Sequence, residues 1–128
     1  MVGCDSEMKS SIVGEKSYQM ALKIVALARR LRDQREFELA SQLIRAGTSI
    51  GANVEEALAG VSRADFIAKM AIASKEARET HYWLRLLRDS ETVANEQITP
   101  LLKDVDELIR ILTAIVKTTQ IQNPKTKN

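Results

Sequence analysis

Apolar residues recur along this chain at spacings of three and four in four separate stretches, the period of one face of an α helix. The first runs from about Ser11 to Arg32 and repeats Tyr18, Ala21, Leu22, Val25 and Ala28, with Ile24, Leu27 and Leu31 widening the stripe. The second runs from about Glu36 to Gly60 and alternates Leu39/Ala40, Leu43, Gly47, Ile50, Val54, Ala57 and Val61, a bundle-type seam. The third opens after Gly60, where Ser62-x-x-Asp65 has the spacing of an N-cap with an acidic third residue. It continues through Phe66, Met70, Ala73, Ala77, Leu84 and Leu87 to about Ser90. The fourth takes Thr99 as its cap and Pro100 in its first turn. Leu101/Leu102, Val105, Leu108/Ile109, Leu112 and Ile115/Val116 then follow, and it ends by Gln122. Short connections at Asp33 to Arg35 and at Gly60 to Ser62 force neighbouring helices to run antiparallel. The expected fold is therefore all-α, an antiparallel up-down-up-down four-helix bundle. It forms one domain over residues 11–122, with flexible segments at 1–10 and 123–128.

Two glycines disturb this pattern. Gly47 and Gly51 stand one turn apart inside the second helix, where each costs about 1 kcal/mol relative to Ala. They predict a face where another backbone comes close, either in the core or between copies. Composition changes the picture little. Hydrophobic residues make up 45% and charged residues 28%, with only 5 Gly and 2 Pro, which leaves scant material for the turns of a β fold. A net charge of +2 is too small for the whole-molecule field to attract nucleic acid or an anionic membrane, so any basic function must be local. The single cysteine, Cys4, cannot form an internal disulfide. With no signal-peptide pattern and no apolar run near the roughly 20 residues of a membrane span, the expectation is a cytoplasmic protein without membrane contact.

The third helix has a second row besides its core seam: Ile72, Glu76, Glu79, Trp83 and Leu86. Trp83 either caps the edge of the core or, with Ile72 and Leu86, anchors an oligomer interface. The carboxylates invite a metal reading that the spacing refuses. A carboxylate-bridged bundle needs Glu-x-x-His pairs from two helices, whereas the only histidine, His81, follows Glu79 by two residues and Glu76 by five. Asn53, Glu56, Glu76 and Glu79 are therefore expected to form a structural polar cluster. In it the glutamates pair with Arg45, Lys75 and Arg78, or accept hydrogen bonds from Asn53 across the second and third helices. No nucleophile sits beside a base, and Gly47-x-x-x-Gly51 lacks the Lys-Ser/Thr of a phosphate loop. The chain predicts no enzyme, no metal and no cofactor.

Antiparallel order brings the end of the first helix, the start of the second and the end of the third to one pole. That pole gathers Arg29, Arg30, Arg32, Arg35, Arg85 and Arg88, whose planar guanidinium groups suit phosphates. Asp33, Glu36, Glu38, Asp89 and Glu91 are interleaved among them, so the residues alone favour a salt-bridged solvated end over a nucleic-acid site. A ring of subunits with this pole on one rim would multiply a weak patch into a multivalent surface.

The run from Gln42 to Ala57, with Asp65-Phe66-Ile67 and the run from Lys75 to Leu87, closely resembles the bacterial four-helix-bundle family named after proteins encoded in intervening sequences of 23S ribosomal RNA genes. The resemblance covers about Lys16 to Ile115. It implies an up-down bundle assembling as a ring-like homopentamer, with no enzymatic activity. The family includes the accessory protein of diversity-generating retroelements, which binds nucleic acid and a reverse transcriptase. Its Asn-Ile-Ala-Glu-Gly pattern maps onto Asn53 to Ala57 and its Gly-Ser-x-x-Glu onto Lys75 to Glu79. Asn53, Glu56 and Glu79 carry over, while Ala57, Lys75 and Glu76 depart from the pattern. The resulting expectation is a non-enzymatic oligomeric protein contacting RNA or DNA through the Arg-rich pole. The alternative is a protein-interaction scaffold that binds no nucleic acid.

Overall fold

The structure, a computed structural model, describes residues 4–121. Four α helices account for nearly all of them: α1 (Cys4–Asp33), α2 (Phe37–Leu58), α3 (Arg63–Asp89) and α4 (Asn95–Ile121). Each helix packs on its chain neighbours, α4 closes back on α1, and among the described residues no two backbones approach across the diagonal. The pairs that meet fix the directions. Ile24 lies by Gly47 and Ser17 by Gly51, Arg45 reaches Glu76 and Lys69 reaches Glu56, His81 reaches Asp106 and Arg78 reaches Thr113, and Lys16 and Lys23 reach Glu107 and Asp104. In every case a rising number meets a falling one, so all four contacts are antiparallel and the bundle runs up-down-up-down. Of the terminal segments expected to be flexible, residues 1–3 and 122–128 lie outside the described residues, and α1 already begins at Cys4.

The α2 and α4 seams are buried as their periodicity predicts, except that Val61 falls in the connection after Leu58 and is exposed. The third helix starts where Ser62 caps it, its hydroxyl accepting from the Asp65 backbone N–H at 3.0 Å. Three expectations are overturned. On α1 the buried face is Val13, Met20, Ile24, Leu27, Ala28 and Leu31, whereas Tyr18 and Leu22 are exposed. The inward face was masked by Ser17, which occupies a core position yet is polar. Its hydroxyl is satisfied locally by donating to the Gly14 carbonyl at 3.1 Å, so a buried serine costs little there.

The fourth helix begins at Asn95, not at Pro100, and Thr99 donates back to the Asn95 carbonyl at 2.9 Å. This early turn contains Ile98, which is wholly buried. Its burial contributes about 1.5–3 kcal/mol, against the one intrahelical hydrogen bond Pro100 cannot donate. The third, that Asn53 donates to the glutamates across α2 and α3, belongs to the site described below.

Both connections at the pole where α1 and α3 end close in the same way. Arg35 and Glu91 adopt positive φ, 65° and 59°. The next residues, Glu36 and Thr92, donate back to Leu31 and Leu87 at 2.8 and 3.1 Å. These are Schellman caps with an arginine and a glutamate where glycine is usual.

Candidate functional site

The six arginines do meet at one end of the bundle. Arg29, Arg30 and Arg32 come from the last turns of α1, Arg35 from the connection, and Arg85 and Arg88 from the end of α3. Arg88 is half-buried and donates through Nε to Asp89 Oδ1 at 2.8 Å. That hydrogen bond holds the Asp89 carboxyl below the ordinary carboxylate range and raises the Arg88 guanidinium further. The other five arginines are exposed, and none has an ion-pair partner among the described residues. Carboxylates stand at the same end: Asp33, Glu36, Glu38, Asp89, Glu91 and, from the first turn of α4, Glu96. Six positive charges against six negative ones leave no long-range field. What remains is short-range, a set of guanidinium forks free to meet phosphate oxygens one at a time.

The polar cluster between α2 and α3 divides in two. In its upper part Arg45 bridges Glu76, at 3.5 Å, and Glu79, while the Trp83 indole N–H donates to Glu79 Oε2 at 3.0 Å. Glu76 is buried and Glu79 half-buried, so Arg45 neutralises carboxylates that water reaches poorly. In its lower part Lys69 meets Glu56 at 2.9 Å, and this hydrogen bond and charge raise the Lys69 ammonium above its usual value. Asn53 joins neither. Its amide donates to Ser49 in its own helix, to the carbonyl at 2.9 Å and the hydroxyl at 3.1 Å. The expected pairing of Glu76 and Glu79 with Arg45 is present, whereas Asn53 bonds no glutamate, because an asparagine can satisfy itself one turn back along its helix. Arg78, expected to pair with these glutamates, turns the other way to Thr113 of α4 at 3.3 Å. Among the described residues no three His, Cys, Asp or Glu side chains converge as metal ligands.

The row expected to form an interface has mixed fates. Ile72 and Leu86 are exposed, whereas Trp83 is half-buried against the core, edge-on to exposed Tyr82 with ring centroids 5.1 Å apart. Within the single chain Trp83 thus packs on the edge of the core. The larger exposed apolar groups were not foreseen as surface. Tyr18 (58% exposed) and Leu22 (49%) of α1, with Phe37 (54%) at the start of α2, stand outside the bundle. The available signal was the second α1 stripe at 18, 22 and 25, one too many for a single buried face.

Gly47 is explained by α1, and Gly51 faces α1 at an ordinary contact distance. A Cβ on Gly47 would lie 2.7 and 2.8 Å from the Ile24 side chain, and one on Gly51 would lie 3.5 Å from the Ser17 carbonyl. The close approach they predicted is thus the α1/α2 contact within one chain. No described helix is long and apolar enough to cross a membrane.

The chain is similar to a solved structure of a protein of unknown function from the S23 ribosomal protein family of Bacteroides thetaiotaomicron. Identity is 45% and the TM-score 0.82, covering 85% of this chain and 98% of that one. Among curated proteins, none matches. The sequence matches the 23S rRNA-intervening sequence protein family over residues 9–114, and the same four-helix architecture stands on both sides of the structural match. This chain belongs to the 23S rRNA-intervening sequence protein family.

Proposed function

We propose that this protein is a non-enzymatic binding protein that works as an assembly of identical chains and contacts the phosphate backbone of RNA or DNA through its arginine-rich pole. The observation behind this reading is the gathering of five exposed arginines, free of ion-pair partners among the described residues, from three chain segments at one end. Single guanidinium contacts are weak when acids are interleaved with them. Several copies presenting the pole on one side add their contacts through effective concentration, with no new chemistry. Base-edge readout has little to work with, since aromatic residues are 4% of the chain and the pole offers few amide side chains.

A gel-shift titration across salt tests this reading. Affinity should fall steeply, each neutralised phosphate contributing a slope of roughly −0.9 for duplex or −0.7 for single strands in log K against log salt. Changing Arg29, Arg30, Arg35 and Arg85 together to Gln should weaken binding to all sequences alike and flatten that slope. Undetectable binding near 0.15 M salt, where the Debye length is about 8 Å, would overturn it. The second reading, a protein-interaction scaffold without nucleic acid, is favoured by the exposed apolar residues Tyr18, Leu22 and Phe37. It predicts that negative result.

A further inference from the structure

The α3/α4 side of the bundle carries two facing rows at helical spacing: Arg78, His81, Arg85 and Arg88 on α3, and Thr99, Lys103, Asp106, Arg110, Thr113 and Lys117 on α4. Two contacts fix their register. Arg78 donates to Thr113 at 3.3 Å and His81 meets Asp106 at 3.4 Å, so Arg85 stands level with Lys103 and Arg78 level with Arg110. The α1/α4 side obeys the opposite rule, with Lys16 on Glu107 at 2.9 Å and Lys23 on Asp104 at 2.7 Å. There each cation faces a carboxylate; on the α3/α4 side cations face cations. Six Arg and Lys meet one carboxylate within the rows, Asp106, and a second at the arginine-rich end, Asp89, which Arg88 holds. With His81 counted neutral, the excess of four positive charges on this one side is twice the net +2 of the whole chain, so the rest of the molecule is net negative. Arg78, Arg85, Lys103, Arg110 and Lys117 are all exposed, and none has an ion-pair partner among the described residues. Like charges set level along a helix seam oppose folding, and such a broken local rule marks a surface kept for something other than stability.

We infer that this side is a phosphate track: the backbone of a nucleic acid lies along the α3/α4 seam, from Arg85 and Arg88 at the arginine-rich pole to Lys117 at the far end. This rests on the reading that the protein meets nucleic-acid phosphates, and it extends the contact from the end of the bundle to its flank. At the pole the interleaved acids cancel the field of the arginines. Along the flank the excess charge survives and attracts a polyanion from a distance. The length of the rows suits a polymer. Lys117 lies eighteen residues past Thr99, roughly 27 Å at about 1.5 Å per residue, which is the length of about eight base pairs. A single small anion would need one or two of these cations, not a line of them. The Thr113 hydroxyl, which accepts from Arg78, keeps its own hydrogen to donate to a phosphate oxygen. A lipid surface is the poorer match. None of the large exposed apolar residues belongs to either row, so nothing on this side reaches below lipid headgroups.

Fluorescence anisotropy of a labelled mixed-sequence duplex, titrated with the full chain at several salt concentrations, tests this. Arg78, Arg110 and Lys117 lie away from the pole. Changed together to Gln, they should weaken binding at least about tenfold at low salt and reduce the slope of log K against log salt by about two to three. Asp106→Asn removes the only carboxylate of the two rows and should tighten binding by about threefold, a gain that misfolding cannot produce. Circular dichroism and light scattering should match the parent for both variants. A flank variant that binds as tightly as the parent, while Arg29, Arg30 and Arg35 changed together to Gln lose binding, would overturn the track and leave the pole reading standing. The reverse pattern would uphold the flank as the site and overturn the pole. No duplex binding by the parent at about 0.15 M salt would overturn both. Capture of the parent by phosphatidylserine-containing vesicles, at a salt concentration where the duplex is released, would overturn nucleic acid as the occupant. A changed oligomer size in the flank variant would place these residues between chains and overturn the track.

Discussion

α1 has two neighbours and meets them by different physics. Against α2 it packs extensively and closely: Gly47 admits Ile24, Gly51 lies on the Ser17 backbone, and no ion pair joins the two helices among the described residues. Against α4 it packs more sparingly, and the outer edge is bridged by the exposed pairs Lys16 to Glu107 and Lys23 to Asp104. Where the seam is closest, at Gly47, an added side chain must displace Ile24, whereas an edge bridged by long flexible chains tolerates substitution. The outer surfaces follow suit. Where helices are close, the surface over the seam is apolar and uncharged; where they are bridged by charge, it is solvated.

The largest test of this contrast is at the glycines. Gly47→Val pushes extra carbons into Ile24, and a loss of about 2–3 kcal/mol in chemical denaturation is expected. Gly51→Ala meets only an ordinary 3.5 Å contact and should be neutral or stabilise by up to about 1 kcal/mol through helix propensity. Equal losses at both positions would show that the seam is not closest at Ile24.

A smaller effect separates ion pairs that face packed protein from those that face water. Arg45→Ala leaves Glu76 buried without its counter-charge, and about 1–2 kcal/mol should be lost. Lys23→Ala removes a pair whose side chains are both well exposed and should cost less than about 1 kcal/mol, vanishing at high salt. A double-mutant cycle on each pair gives the coupling directly, and comparable couplings would break the comparison.

The smallest effect is at the pole. Arg88, first by its hydrogen bond, places the Asp89 carboxyl below its ordinary value of 3.8. A carboxyl depressed on folding stabilises the fold above that value, and the contribution disappears as pH falls through the lower folded value. An NMR titration should place Asp89 below 3.8, and Arg88→Gln should move it back up.

Helix number, the antiparallel order, the α2 and α4 seams and the Ser62 cap were all legible in the sequence. Each depends on a period or on a side chain reaching its own backbone, and both are local. The arginines of the pole were legible as a group for the same reason, since antiparallel order alone brings helix ends together. Other features needed the folded chain. Two apolar stripes compete on α1, and burial went to the one with Ile24 and Ser17 in it, where Gly47 of α2 admits Ile24. The start of α4 moved ahead of Pro100 because Ile98 found the core. Of the residues offered to Glu76 and Glu79, Arg45 took them, while Arg78 turned to Thr113 and Asn53 back on Ser49. In each of these cases several local arrangements are nearly equal in energy, and contacts between residues far apart in the chain select one of them. The sequence by itself determined which elements form and in what order they run; only the tertiary structure decided which face of α1 turns inward and which charges meet, because those choices depend on packing between helices.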